Sequence, residues 1–457
     1  MKKIGLLLVL LAVFSCQEKA PVNYALISGK IANNSFTELK IMNRDNSVNK
    51  SVKINENGSF SDTLNFEKGM YFLRAGKNSA KIYIDAGSDI LIDVDANDFK
   101  NTLTFSGEGV TVSNYLLKKE EKSNEITGDR KDFYALEEAG FKQKAKEVQS
   151  EVTAILEASK DVPAAYKASE LKNLNYEYLA SINRYERYHT HFAKVEGFKV
   201  SEGFLDELED IDYSNEEDFL FSSSYEELLS SHYRKLGAEL ASTNEITEDI
   251  GYLKAVNTNS SAVVKNSLLF NAAKYEITYT NDVEAYYIEF IAGSTNVKNN
   301  EEITKSYNTL KTVAKGNVSP SFENYENFDG TTTSLSDLKG KYVYVDVWAT
   351  WCGPCKAEIP SLKKVEAQYH GKNIEFVSIS VDALKDHDKW KEMVAEKELK
   401  GVQLFADKSW KSDFVEGYLI KGIPRFILID TEGNIVNANA PRPSSEKLIE
   451  LFNELKI

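Results

Sequence analysis

Cys352 and Cys355 stand in Trp351-Cys352-Gly353-Pro354-Cys355, and the third cysteine of the chain, Cys16, closes an N-terminal apolar stretch. This distribution leaves one candidate dithiol and no spare thiol for a structural disulfide. A CxxC pair could supply half of a zinc site, but four-coordinate zinc usually takes a second Cys or His pair. No second Cys pair exists, and the five histidines, His189, His191, His232, His370 and His387, do not fall at a ligand-pair spacing. His189 and His191 alternate in an aromatic, charged stretch and read as surface residues. The favoured chemistry is redox, with no metal and no cofactor.

The dithiol sits at a strand-to-helix junction. Lys341 to Trp348 is rich in Val and Tyr and reads as a strand; Lys356 to Tyr369 places Ile359, Leu362, Val365 and Tyr369 on one side of a helix. A sulfur at a helix N-terminus meets about half a unit of positive charge, which favours thiolate. Cys352 is therefore expected to attack. Cys355, one turn inward and more buried, would resolve the mixed disulfide. Pro354 suits the first helical turn, where its missing N–H is no loss. Gly353 leaves the approach to Cys352 open. Asp346 interrupts an otherwise apolar strand, so it needs a task or partner if buried; a solvent-facing edge position is the alternative. Glu358 lies one turn past Cys355 and on its side of the helix, or is a plain surface glutamate.

Three patterns run along the chain, which makes the fold class multidomain. From about Val22 to Gly107 the period is two, with strand candidates at Tyr24 to Ile31, Glu38 to Met42, Ser59 to Leu64, Met70 to Ala75, Lys81 to Asp85, Asp89 to Val94 and Thr102 to Phe105. Asn57-Gly58 reads as a hairpin turn. An N-terminal antiparallel β-sandwich or barrel-like module is expected over 22–107. Residues 110–315 form a cysteine-free α-helical region, with Phe141, Ala145, Val148, Val152 and Ile155 on one helix face and Leu171, Leu174, Tyr178, Ile182 and Tyr185 on another. Its many tyrosines read as helix-packing residues with a polar tip; a binding face is the other use of Tyr. From 317–457 strands and helices alternate, which predicts an α/β layer domain. Asn373 to Val381, Gln403 to Ala406, Arg425 to Asp430 and Ile435 to Ala438 are its later strands; Lys389 to Leu399, Ser412 to Leu419 and a C-terminal segment with Leu448, Leu451, Phe452 and Leu455 are its helices.

At 457 residues the chain can hold about three domains. Its formal charge of -15, or -17 once Lys2 and Lys3 are removed, argues against a nucleic-acid partner. Met1 to Ser15 reads as a lipoprotein signal peptide: Lys2 and Lys3 precede an apolar core, Ile4 to Phe14, that is short for a membrane span. Leu11-Ala12-Val13-Phe14-Ser15-Cys16 resembles a bacterial lipobox, which would make Cys16 the lipidation site. Each buried acyl methylene contributes about 0.8 kcal/mol, so several chains anchor stably. The expected location is the cell envelope, lipid-anchored on the extracytoplasmic, periplasmic side of a membrane.

From about Ser319 to the C-terminus the chain resembles the thioredoxin superfamily, most closely its extracytoplasmic TlpA/ResA-like branch. The residues that carry the resemblance are Trp348-Ala349-Thr350-Trp351-Cys352-Gly353-Pro354-Cys355-Lys356, Pro360, and Gly422-Ile423-Pro424 ahead of a strand. The β-rich module resembles one that precedes thioredoxin-like domains in secreted Bacteroidetes proteins, through its Gly-punctuated strands and Tyr83-Ile84-Asp85-Ala86-Gly87-Ser88-Asp89. The resemblance implies that Pro424 is the family's cis-proline, with Ile423 pairing a substrate segment through its N–H and C=O. It implies a C-terminal thioredoxin-like fold, substrate contacts at Trp351, Gly353 and Pro354, and a proton-accepting role for Asp346. Glu358 matches instead an acid of the ResA-like branch, so which acid serves as base stays open. Gly353-Pro354 is the dipeptide of thioredoxin, whose potential is roughly -270 mV against roughly -120 mV for strong oxidants of the fold.

The function expected is a membrane-anchored thiol–disulfide oxidoreductase that reduces disulfides of exported proteins, with cytochrome c maturation or disulfide repair as fitting roles. Its partners would be those proteins and a membrane-bound thiol electron donor. The competing readings are a binding or structural lipoprotein that uses the fold as scaffold, and a peroxiredoxin-type peroxidase. The last needs Thr three residues and Pro seven residues before the cysteine, where Ala349 and Val345 stand.

Overall fold

The computed structural model describes residues 22–44 and 46–457; the leader and Cys16 lie outside them. Among the described residues no helix is long and apolar enough to cross a membrane. The chain divides into two compact units. One holds the described residues up to Ile211 with Leu220–Leu228, the other Asp212–Phe219 with Leu229–Ile457, so the helical region is shared between them.

In the first unit β1 (Ala25–Ala32), β2 (Glu38–Met42), β3 (Asn49–Lys53), β4 (Ser59–Leu64), β5 (Gly69–Ala75), β6 (Asn78–Ile84), β7 (Asp89–Asp95) and β8 (Thr104–Glu108) form two four-stranded sheets, in the orders β4-β1-β7-β8 and β3-β2-β5-β6. Burial alternates along β7, with Ile90, Ile92 and Val94 inward and Asp89, Leu91 and Asp93 outward. These residues join Ile27, Ile41 and Leu73 in one core. The module is a sandwich, but not a purely antiparallel one, because β1 pairs with β7 in parallel. A parallel pair needs a long crossover, and the five strands between them provide it. Gly29 allows the close approach: a Cβ there would stand 1.8 Å from the Ile92 carbonyl oxygen. Asn57-Gly58 does turn the chain, with Gly58 at φ 82°, but it joins β3 of one sheet to β4 of the other and closes no hairpin. β3 shows no period of two in sequence because only Val52 of its five residues is buried.

Helices α1 (Phe99–Thr102), α2 (Thr111–Thr127), α3 (Arg130–Ala135), α4 (Glu138–Ala158) and α5 (Ala164–His189) complete this unit. Two buried tyrosines here have bonded hydroxyls, Tyr115 donating to Glu170 and Tyr185 to the Leu136 carbonyl, whereas the hydroxyl of buried Tyr166 has no partner among the described residues. His189 is a correction. It is buried, its Nδ1 3.0 Å from the Tyr134 carbonyl oxygen and its ring against Phe198. The buried stripe through Ile182 and Tyr185 continues one turn further and takes His189 inward.

The unit boundary passes through α6 (Glu216–Phe221) and α7 (Ser223–Asn244). The second unit then carries α8 (Glu248–Asn257), α9 (Ala262–Glu276), α10 (Val283–Gly293) and α11 (Val297–Thr312), followed by the α/β domain. That domain consists of β9 (Tyr325–Asn327), β10 (Thr332–Thr333), β11 (Tyr342–Trp348), α12 (Gly353–Gln368), β12 (Ile374–Ser380), α13 (His387–Glu396), β13 (Val402–Phe405), α14 (Asp413–Gly417), β14 (Arg425–Ile429), β15 (Ile435–Asn437) and α15 (Glu446–Glu454). Its sheet runs β10-β9-β13-β12-β11-β14-β15, with β11 parallel to β12 and antiparallel to β14. β11 is central and buried from Val343 onward, which explains a Val- and Tyr-rich composition that only Asp346 interrupts. On one face Tyr344 and Leu428 pack with Leu362 and Val365 of α12 and with Leu448 and Phe452 of α15. A buried strand leading into a helix packed on the same sheet fixes the turn between them, and that turn holds the dithiol.

Candidate active site

Cys352 caps α12. It is disulfide-bonded to Cys355, and its Sγ accepts the Cys355 backbone N–H at 3.1 Å. The sulfur thus lies where the helix's unpaired amides converge, as the junction predicted. Pro354 falls in the first turn of α12, where no N–H is required. One expectation fails: Cys352 is as buried as Cys355, each 4% exposed. The bond ties both sulfurs to the first helical turn. Trp351 instead is the exposed member, 58% accessible, with its ring 6.4 Å from that of Trp410.

Asp346 is buried on β11, and its Oδ1 has no hydrogen-bond partner. Burial, then the charges of Glu358 and Glu366, push its carboxyl up to about 8. Asp346 and Cys355 line one narrow crevice of about 10 Å³, together with Trp348, Gln403 and Glu366. Trp348 Nε1 and Gln403 Oε1 are also buried without partners. Glu366 sits on α12, where burial outweighs Lys363 and Lys400 and raises its carboxyl to about 7. Glu358, two turns earlier, is buried too, and is no surface glutamate. It accepts from the Ser444 amide at 3.0 Å and hydroxyl at 2.9 Å, with Arg442 3.5 Å away. Its carboxylate is engaged by the segment before α15, while that of Asp346 faces the crevice.

The Ile423–Pro424 peptide bond is cis. Arg425 pairs with Val347, one residue from the end of β11, so the Ile423–Pro424 turn and the dithiol turn leave the sheet at the same edge. Among the described residues neither the N–H nor the C=O of Ile423 has a backbone partner outside the sheet.

This domain is similar to known proteins. The Redoxin family matches residues 314–450. The C-terminal domain is a redoxin domain, and its relatives include ResA-like thiol–disulfide oxidoreductases. The chain is 44% identical over 70 residues to the thiol-disulfide oxidoreductase ResA of Oceanobacillus iheyensis, covering 15% of this chain and 36% of that one. It is 26% identical over 148 residues to ResA of Bacillus subtilis, covering 32% of this chain and 78% of that one. A solution structure of a thiol:disulfide interchange protein from Bacteroides sp. is 31% identical, with 32% of this chain and 90% of that one covered and a TM-score of 0.28.

Two residues of the redoxin domain's site were not foreseen. Asp382 is fully buried beyond β12 and accepts from the Thr350 amide at 2.9 Å, the Thr350 hydroxyl at 2.8 Å and the Ser380 hydroxyl at 2.7 Å. It pins the turn just before Trp351 and Cys352. Its signal was an acid directly after the strand candidate Asn373 to Val381, close to the reasoning applied to Asp346. Glu366 carries no such signal, since an acid on α12 reads as solvated until the sheet beneath is known.

Proposed function

We propose that the redoxin domain reduces disulfides of exported proteins through a Cys352–Cys355 dithiol. The observation that supports this most is Cys352 Sγ held at the α12 N-terminus in a disulfide with Cys355. In the reduced form the Cys352 thiolate attacks one sulfur of a substrate disulfide. A Cys352–substrate bond forms, the substrate S–S bond breaks, and the departing thiolate takes a proton. Cys355 then gives its proton to Asp346 and attacks Cys352 Sγ. The Cys352–Cys355 bond forms, and the second substrate thiolate leaves. Two electrons pass from the dithiol to the substrate, and a membrane-bound thiol donor must return them.

Asp346 is the favoured base because its free Oδ1 and Cys355 share one crevice, whereas Glu358 is bound by Ser444. A neutral carboxyl cannot accept a proton, so resolution quickens as pH rises toward 8. Ile423 and Pro424 would receive the substrate segment beside Trp351. Lipidation at Cys16 would hold the domain on the extracytoplasmic face of a membrane, where cytochrome c maturation is a fitting role. Equilibration of the dithiol with glutathione tests the direction. A potential near roughly -270 mV is expected, and one near roughly -120 mV would reverse the assignment to an oxidase.

A further inference from the structure

The turn after α9 is fastened to the segment around Pro424 by side chains from both ends of that segment. Lys421 Nζ donates to the Lys274 carbonyl at 2.9 Å, and Arg425 Nη1 donates to the Thr278 carbonyl at 2.6 Å. Asn439, just past β15, donates to the Tyr279 carbonyl at 2.7 Å. The last carbonyls of a helix lack intrahelical partners and carry partial negative charge, so two cations there are well placed. Arg425 is 3% exposed, and its guanidinium lies 4.1 Å from the centre of the Tyr279 ring. A buried guanidinium stacked on an aromatic face is a firm attachment.

The same contact brings Tyr279 to the edge of the proposed cleft. A Cβ on Gly422 would stand 2.7 Å from the Tyr279 hydroxyl, so the ring lies directly against this glycine and would have to shift for any other residue. Gly422 directly precedes Ile423, whose N–H and C=O would pair with the substrate. Yet Tyr279 is 39% exposed and Tyr275 53% exposed. Tyr279 lies on the turn after α9, and Tyr275 in the last turn of α9 itself.

We propose that Tyr279 forms a wall of the substrate cleft and contacts the extended polypeptide flanking the substrate cysteine. This rests on the thiol–disulfide exchange proposed above. A polypeptide strand added along Ile423 would pass Tyr279, which lies against the adjoining Gly422; a small disulfide has no such strand to add. The helical region would thereby select protein disulfides over small ones.

The test compares reduction of insulin and of hydroxyethyl disulfide by the full chain and by Tyr279→Ala and Tyr279→Phe, with the dithiol potential measured in each. The expected result for Tyr279→Ala is an insulin-to-hydroxyethyl-disulfide preference lowered about tenfold through KM, the scale of truncating an aromatic anchor. The potential should match the parent, and Tyr279→Phe should retain most of the preference. Equal losses on both substrates would make Tyr279 a brace only, and unchanged rates would remove it from the cleft; either overturns the proposal. Failure of the parent to reduce either disulfide would instead overturn the exchange reading on which it rests.

Discussion

Thr350 gives both its hydrogen-bond donors to one carboxylate, its amide to Asp382 Oδ2 at 2.9 Å and its hydroxyl to Oδ1 at 2.8 Å. The carboxylate of Asp382 is fully buried and Thr350 lies two residues from Cys352, so the turn bearing the nucleophile is held from below rather than by the dithiol alone. Asp382→Ala would leave the Thr350 amide, the Thr350 hydroxyl and the Ser380 hydroxyl without their acceptor. At about 1–3 kcal/mol for each unsatisfied buried group, a loss of about 3 kcal/mol or more is expected in urea unfolding of the oxidised protein. Asp382→Asn keeps one acceptor oxygen and should lose less.

Asp346 makes stability depend on pH. Its carboxyl titrates at about 8 in the fold and at 3.8 in the reference state, so between those values the folded chain keeps a proton that the unfolded chain releases. Stability therefore falls as pH rises through this window and levels off above it. Asp346→Asn removes the penalty. The variant should exceed the parent by a few kcal/mol at pH 8 and match it below pH 4. The same variant should slow resolution of the mixed disulfide by about a hundredfold, the usual scale of a lost general base. Unfolding curves at the two pH values and single-turnover kinetics check the two halves.

Glu366 and Glu358 are two like charges that raise the Asp346 carboxyl. Glu366→Gln removes one of them, so Asp346 should lose its proton at lower pH. The rise of the resolution rate with pH should move in the acid direction. A pH–rate profile that does not move, or moves to higher pH, would show that Glu366 does not communicate with the crevice.

Cys355→Ser should stall the reaction with substrate still joined to Cys352, and Cys352→Ser should capture nothing. Non-reducing electrophoresis with insulin as substrate reads both outcomes. Capture by Cys352→Ser would reverse the order of attack.

Much of this site was legible because it is local in sequence. Cys352, Cys355 and Pro354 share one turn of helix, Asp346 stands out against the valines of its own strand, and Gly422-Ile423-Pro424 is a short motif ahead of a strand. What escaped is non-local. Thr350 and Asp382 are 32 residues apart, and Arg425 and Thr278 are 147 apart, with neither pair showing any shared periodicity. The parallel β1–β7 pairing is hidden for the same reason, since alternation shows which face of a strand is buried and not which strand lies beside it. Burial of Cys352 as deep as that of Cys355 was missed because the disulfide places it by covalent geometry, which hydropathy does not register.

The most direct test of the central claim is insulin reduction with dithiothreitol, comparing the full chain with Cys352→Ser. The account predicts clear acceleration over the uncatalysed rate and its loss in the variant; no acceleration, or equal rates for the two proteins, would contradict it.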